Sequence, residues 1–195
     1  MNRSPVRVEG LVAFATAFAF VAAAELGDKT QLMTISLSSE HPSLPVAVGV
    51  IAGLTAVTAI GVAAGAALSS ILPTRVMQVL AGGLFLAFGL WSLRRAPERT
   101  EDRRAVRNVW TTAASLAFLS ELGDKTQFAV LALAGTLMAP WSVFAGATLG
   151  LAAVALTSVA LGRALKRFVK RRWIRTASAA LFLVAGALLL LGAAF

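Results

Sequence analysis

The sequence has no cysteine, which excludes disulfides and thiolate metal sites from its chemistry. It has one histidine, His41, in a short polar stretch from Ser38 to Pro45 that also holds Glu40 and two prolines. There it reads as a solvated loop residue and not as a metal ligand. Charge is scarce as well, at 14% of residues, and it is absent from Val46 to Thr74, from Val76 to Leu93 and from Thr176 to Phe195. Each of these runs is near or above the roughly 20 residues a helix needs to cross the hydrocarbon core. What fills the 195 residues is apolar: 58% of them are hydrophobic, and the mean hydropathy is +0.80. The chain is therefore expected to be an all-α polytopic membrane protein.

A net charge of +9 raises nucleic acid as a partner, but the placement of the charge argues against it. Six of the 18 basic residues lie between Arg94 and Arg107, and seven lie between Arg163 and Arg175. Both clusters sit between apolar runs and come with no nucleic-acid-binding module. They read as topology signals and as contacts to anionic lipid headgroups.

Six spans are expected, over roughly 11–37, 46–72, 76–93, 109–137, 141–165 and 173–195. Pro73-Thr74-Arg75 reads as a turn, and Pro140 is expected to end the fourth span. Ala22-Ala23-Ala24 resembles a signal-peptidase site. The same kind of stretch recurs deep in the chain before Glu121, so the first span is expected to stay in place. All four tryptophans (Trp91, Trp110, Trp141, Trp173) fall at span ends, where interfacial anchors belong. Gly49, Gly53, Gly61 and Gly65 form a small-residue stripe that lets a neighbouring helix approach closely.

The sequence also repeats. Glu25-Leu26-Gly27-Asp28-Lys29-Thr30-Gln31 recurs letter for letter as Glu121-Leu122-Gly123-Asp124-Lys125-Thr126-Gln127. A shift of 97 residues further places Gly49 on Gly146, Gly53 on Gly150, Gly65 on Gly162, Leu68 on Leu165 and Gly89 on Gly186. The chain thus divides into a first repeat over 1–94, a basic linker over 95–107 and a second repeat over 108–195. Three spans per repeat is an odd number, so the second repeat enters the membrane from the opposite side. Six transmembrane helices as two inverted three-helix repeats is the architecture of many secondary transporters, with the site at the repeat interface. The thirteen basic residues of the two loops outweigh Arg3, Arg7 and Arg75 on the other side, which puts the loops in the cytoplasm and both termini outside.

Charges at membrane depth cost several kcal/mol (about 2.5–3.5 on insertion scales) and ordinarily face the bundle interior with a function. On a continuous helix, Glu25, Asp28 and Lys29 would share a face, and so would Glu121, Asp124 and Lys125. Gly27 and Gly123 allow a kink or an unwound turn there. Inversion can bring both copies to one centre. Glu25, Asp28, Glu121 and Asp124, with the oxygens of Thr30, Thr126, Gln31 and Gln127, then make a ligand set suited to Mn²⁺, Ca²⁺ or Mg²⁺. Lys29 and Lys125 balance charge. A structural reading pairs Glu25 with Lys29 and Glu121 with Lys125 inside each helix, but leaves Asp28 and Asp124 unpaired. If all six groups are ionised, four carboxylates and two lysines leave the empty site at −2. One divalent cation or two protons cancel that charge.

The pattern Glu-x-Gly-Asp-Lys/Arg-Thr/Ser, present twice among six apolar spans, resembles the GDT-type cation exchanger family, and the resemblance covers essentially the whole chain. It implies transport of manganese and calcium, as in Golgi and chloroplast-envelope members and in bacterial manganese exporters. It also implies that Glu25, Gly27, Asp28, Lys29 and Thr30, with Glu121, Gly123, Asp124, Lys125 and Thr126, carry the activity. The expected function is export of a hard divalent cation, Mn²⁺ first and Ca²⁺ second, in exchange for protons. No cofactor is held permanently, and no enzyme activity is expected. The short middle loop and the lack of a long targeting segment point to a bacterial cytoplasmic membrane, with a homo-oligomer compatible but unspecified. An exporter of a small organic cation, a metal-dependent enzyme acting on lipid phosphates, and a passive channel stay open as alternatives.

Overall fold

Inside a bilayer the backbone must satisfy its own polar groups, and the apolar runs of this chain accordingly fold as helices. A computed structural model describes residues 5–94, 108–161 and 171–194. Residues 95–107 and 162–170 lie outside the described residues, so the basic linker and most of the second basic cluster do too. The described residues form eight helices: α1 (Pro5–Glu25), α2 (Lys29–Glu40), α3 (Ser43–Ile71), α4 (Thr74–Arg94), α5 (Val109–Glu121), α6 (Lys125–Leu137), α7 (Pro140–Leu161) and α8 (Arg171–Ala194).

The structure differs from the expected six unbroken spans at the two motifs. The run expected over 11–37 is split into α1 and α2, which meet at a 70° bend. The run expected over 109–137 is split into α5 and α6. The cause is local. Gly27 and Gly123 both sit at φ +76°, a left-handed conformation that ends a helix and that a side chain makes costly. By length and composition, α3 and α7 can each cross a membrane alone, and the bent α1–α2 pair makes a third crossing if it is one span. Thr74–Ala87 of α4 and Leu183–Ala194 of α8 are shorter apolar stretches.

Two boundaries also move. The expected loop from Ser38 to Pro45 shrinks to His41 and Pro42, because α2 runs to Glu40 and α3 begins at Ser43. Pro140 does not end a span but opens α7, where its missing N–H costs nothing. The preceding helix stops at Met138 instead, at φ 52°.

Packing is reciprocal between the two halves of the chain. Helix α1 lies along α7, α5 lies along α3, and α4 lies along α8. Small residues set these contacts. A Cβ on Gly53 of α3 would strike the Ala114 carbonyl of α5, and a Cβ on Gly150 of α7 would strike the Phe18 carbonyl of α1. In lipid, where apolar burial drives little, such backbone-to-backbone approach is what holds helices together. Ala13, Ala17, Val21, Val50, Leu54, Ala113, Ala117, Val143, Ala147 and Leu151 fill the core between these pairs. Phe20 stacks on Phe85 at 5.2 Å and ties α1 to α4. Trp110 and Trp141 stand exposed in the first turns of α5 and α7, as interfacial residues should.

Candidate functional site

Each motif wraps around a helix break, and that decides where its charges go. Glu25 is the last residue of α1 and Glu121 the last of α5. Both carboxylates therefore stand at helix C-termini, where the backbone dipole is negative and a cation is favoured. Asp28 and Asp124 take the N-cap positions of α2 and α6. The shared helical face expected for Glu25 and Asp28, and for Glu121 and Asp124, does not exist, because the chain turns at the glycine between them. The turn is closed by the Asp28 N–H donating to the Glu25 carbonyl and the Asp124 N–H donating to the Glu121 carbonyl.

The two motifs meet, and each satisfies the other. Lys125 Nζ lies 2.9 Å from Asp28 Oδ2, and Lys29 Nζ lies 3.6 Å from Asp124 Oδ1. The Thr126 hydroxyl donates to Glu25 Oε2 at 3.1 Å, and the Thr30 hydroxyl donates to Glu121 Oε1. The lysines thus pair across the halves with aspartates. The alternative of helix-internal glutamate–lysine pairs is not what forms. These crossed contacts gather all four carboxylates at the junction of the two motifs. Glu25 and Glu121 are almost sealed from solvent, at 2% and 1% exposure.

Not every donor and acceptor is used. Among the described residues, Glu25 Oε1, Glu121 Oε2 and Asp124 Oδ2 are buried with neither a hydrogen-bond nor an ion-pair partner, whereas Asp28 Oδ2 has only its ion pair with Lys125. Buried carboxylate oxygens left over in this way are costly and mark places where a cation can be taken up. Among the described residues, no three acidic or histidine side chains are gathered closely enough to hold a metal ion as they stand. With the lysines against the aspartates, the aspartates are charge-paired and the glutamates are not, and the cluster is not preformed as a coordination shell.

The amides behave differently from the hydroxyls. Gln31 Oε1 accepts from the Gly27 N–H and braces the turn, so this oxygen is engaged. Gln127 packs its amide against Gly61 of α3, 3.0–3.1 Å from where a Cβ there would stand. One participant was missed in the sequence: Ser120, whose Oγ lies 2.9 Å from Thr30 Oγ1. Its counterpart before the first motif is Ala24, so the repeat itself gave no signal. Thr58 and Ser158 donate to carbonyls of their own helices.

The lysine contacts are unequal, which yields an expectation. In a double-mutant cycle on unfolding in detergent, Asp28 and Lys125 should couple by about 1–3 kcal/mol, and Asp124 and Lys29 by less than about 1 kcal/mol. The difference follows from the shorter contact and from Lys125 being 15% exposed against 30% for Lys29. Equal coupling would show that the two bridges are interchangeable.

A family model described as "Divalent cation/proton antiporter GDT1" matches residues 13–100 and 109–195. The chain belongs to the GDT1 family. Its relatives include the GDT1-like protein sll0615 of Synechocystis, 35% identical over 78% of this chain and 84% of that protein. Protein PAM71, chloroplastic, of Arabidopsis thaliana is 30% identical over 88% of this chain and 54% of its own length. The Vibrio cholerae protein named "Putative manganese exporter" is 28% identical over 84% of this chain and 83% of its own. No solved structure matches. As a GDT1-family member the chain is a membrane transporter of the cation/proton antiporter type and not an enzyme, which closes the lipid-phosphate alternative. Both motifs lie inside the matched segments.

Proposed function

We propose that this protein exports a hard divalent cation, manganese foremost and calcium second, in exchange for protons across a bacterial cytoplasmic membrane. The observation that carries the reading is the reciprocal junction of the two motifs, with four carboxylates and three unpartnered buried oxygens on elements from both halves. Acidic and hydroxyl oxygens, in a sequence with no cysteine thiolate, favour hard ions. The name of the Vibrio cholerae relative supports manganese. We take Glu25, Asp28, Glu121 and Asp124 as ligands with Thr30 and Thr126 beside them, Lys29 and Lys125 as tethered counter-charges, and Gly27 and Gly123 as the hinges of the site. Gln31 and Gln127 enter the ligand set only if their amides leave their present contacts.

The fold reading that goes with it is two inverted three-span repeats about the site. Support comes from α1 lying on α7 as α5 lies on α3, and from the crossed pairs at the centre. Alternating access then means rocking one half against the other around a fixed site.

Two measurements test the proposal. In proteoliposomes, Mn²⁺ transport should be competed by Ca²⁺ and left unchanged by lysine at equal concentration; competition by lysine instead would favour an exporter of organic cations. For orientation, cysteines introduced as Ser43→Cys and Thr100→Cys should both be shielded from impermeant thiol reagents in intact cells. Labelling of Thr100→Cys from outside would reverse the assignment of the termini to the outer face.

A further inference from the structure

The two half-sites are alike in the motif and unlike just before it. Glu121 is preceded by Ser120, and Glu25 by Ala24. The difference has a geometric consequence. Thr30 Oγ1 lies between two oxygens, Ser120 Oγ at 2.9 Å and Glu121 Oε1. A threonine hydroxyl carries one proton. With that proton given to the carboxylate, the Ser120 hydroxyl is the donor to Thr30. The result is a directed chain, Ser120 to Thr30 to Glu121, running from α5 across to α2 and back.

Among the described residues, the other half has no such chain. Thr126 donates to Glu25 Oε2, but the residue at the place of Ser120 is an alanine, buried to 0% exposure. Ala24 has no hydroxyl with which to orient Thr126 in the way Ser120 orients Thr30. Linked hydrogen bonds polarise one another, so a hydroxyl that accepts is a better donor. Glu121 is therefore held by one oxygen in a fixed orientation, and its second oxygen, Oε2, is left buried and without a partner.

We propose that Ser120 is a positioning residue for the transported divalent cation. Acting through Thr30, it fixes the Glu121 carboxylate so that Oε2 is presented to the ion. The Glu121 half of the site thereby binds the cation more firmly than the Glu25 half. This rests on the cation-exchange reading of the same site and adds to it a residue outside the repeated motif and an inequality between its halves.

The test is a kinetic split on the full-length protein in proteoliposomes, with Mn²⁺ as the probe. Ser120→Ala should raise the KM for Mn²⁺ roughly three- to tenfold, the scale of one hydrogen bond, with the maximal rate kept within about twofold. Ser120→Cys, close in size but a weak donor, should shift KM in the same direction, whereas Ser120→Thr should restore it. In a Thr30→Val background, Ser120→Ala should change nothing further, because its only route to the ion is gone. A wild-type KM in both Ser120→Ala and Ser120→Cys overturns the proposal. So does a full additional shift on top of Thr30→Val, or a fall in maximal rate with KM unchanged. The failure of the underlying reading looks different: the unmodified protein itself would move no divalent cation, and both would fall together.

Discussion

Glu121→Gln is expected to abolish divalent cation transport, by more than about a hundredfold, while the protein still inserts and folds. Glutamine cannot carry the negative charge that the divalent cation would neutralise, and one uncompensated charge on the bound ion at membrane depth costs on the order of 3 kcal/mol, which is the same hundredfold. The amide keeps the shape of the side chain and an oxygen to accept from the Thr30 hydroxyl, so the local packing survives. Glu25→Gln should behave in the same way through Thr126. The aspartates are expected to lose transport too, but with a second effect. Asp28→Asn leaves Lys125, 15% exposed, facing a neutral group, and should lower the unfolding temperature in detergent more than either glutamate variant. Asp124→Asn releases Lys29, which is 30% exposed and better able to reach water, so its stability cost should be smaller. Transport rates and thermal unfolding on the same four variants check both parts. An Asp124→Asn protein with wild-type rates would end the idea of one site shared by both halves.

The lysine pairing could not be foreseen from spacing, and the reason is physical. Periodicity reports which residues share a helix face, and on that basis Glu25 with Lys29 was the natural pair. The chain breaks between them, so the rule had no helix to act on. The glycine at the centre of each motif signalled a break, but not that the break would turn Asp28 into a helix cap and aim Lys29 at the other half. By contrast, the small-residue stripe of α3 could be read from sequence, since only close backbone approach explains Gly49, Gly53 and Gly65 at such intervals. Their neighbours are indeed backbone atoms of Trp110, Ala114 and Leu131. The repeat was legible for the same reason, as identity of letters at matching places. Ser120 was not, because it is where the repeat fails. A functional difference between two halves is hidden from any argument built on their likeness.

The crossed pairs also sharpen the expected coupling between metal and protons. Four carboxylates and two lysines leave −2 when all are ionised. The lysines face the aspartates, so the uncancelled charge falls on Glu25 and Glu121. Among the described residues, each of these has one threonine donor and one oxygen without a partner. Two such charges in a low-dielectric interior are too expensive to carry across the membrane alone. One divalent cation between the two glutamates cancels them, and so does a proton on each. The states able to reorient are then the metal-loaded one and the doubly protonated one, which is the condition for exchange without leak. About two protons should enter for each divalent ion that leaves, and the cycle should be electroneutral. Vesicles loaded with Mn²⁺ and given an inward proton gradient should show internal acidification in step with metal loss. Clamping the membrane potential should leave the rate unchanged. In Glu25→Gln, where a single charge remains, the two fluxes should both collapse and not merely separate. Metal that leaves the unmodified protein with no matching proton entry would refute antiport here and point to a channel.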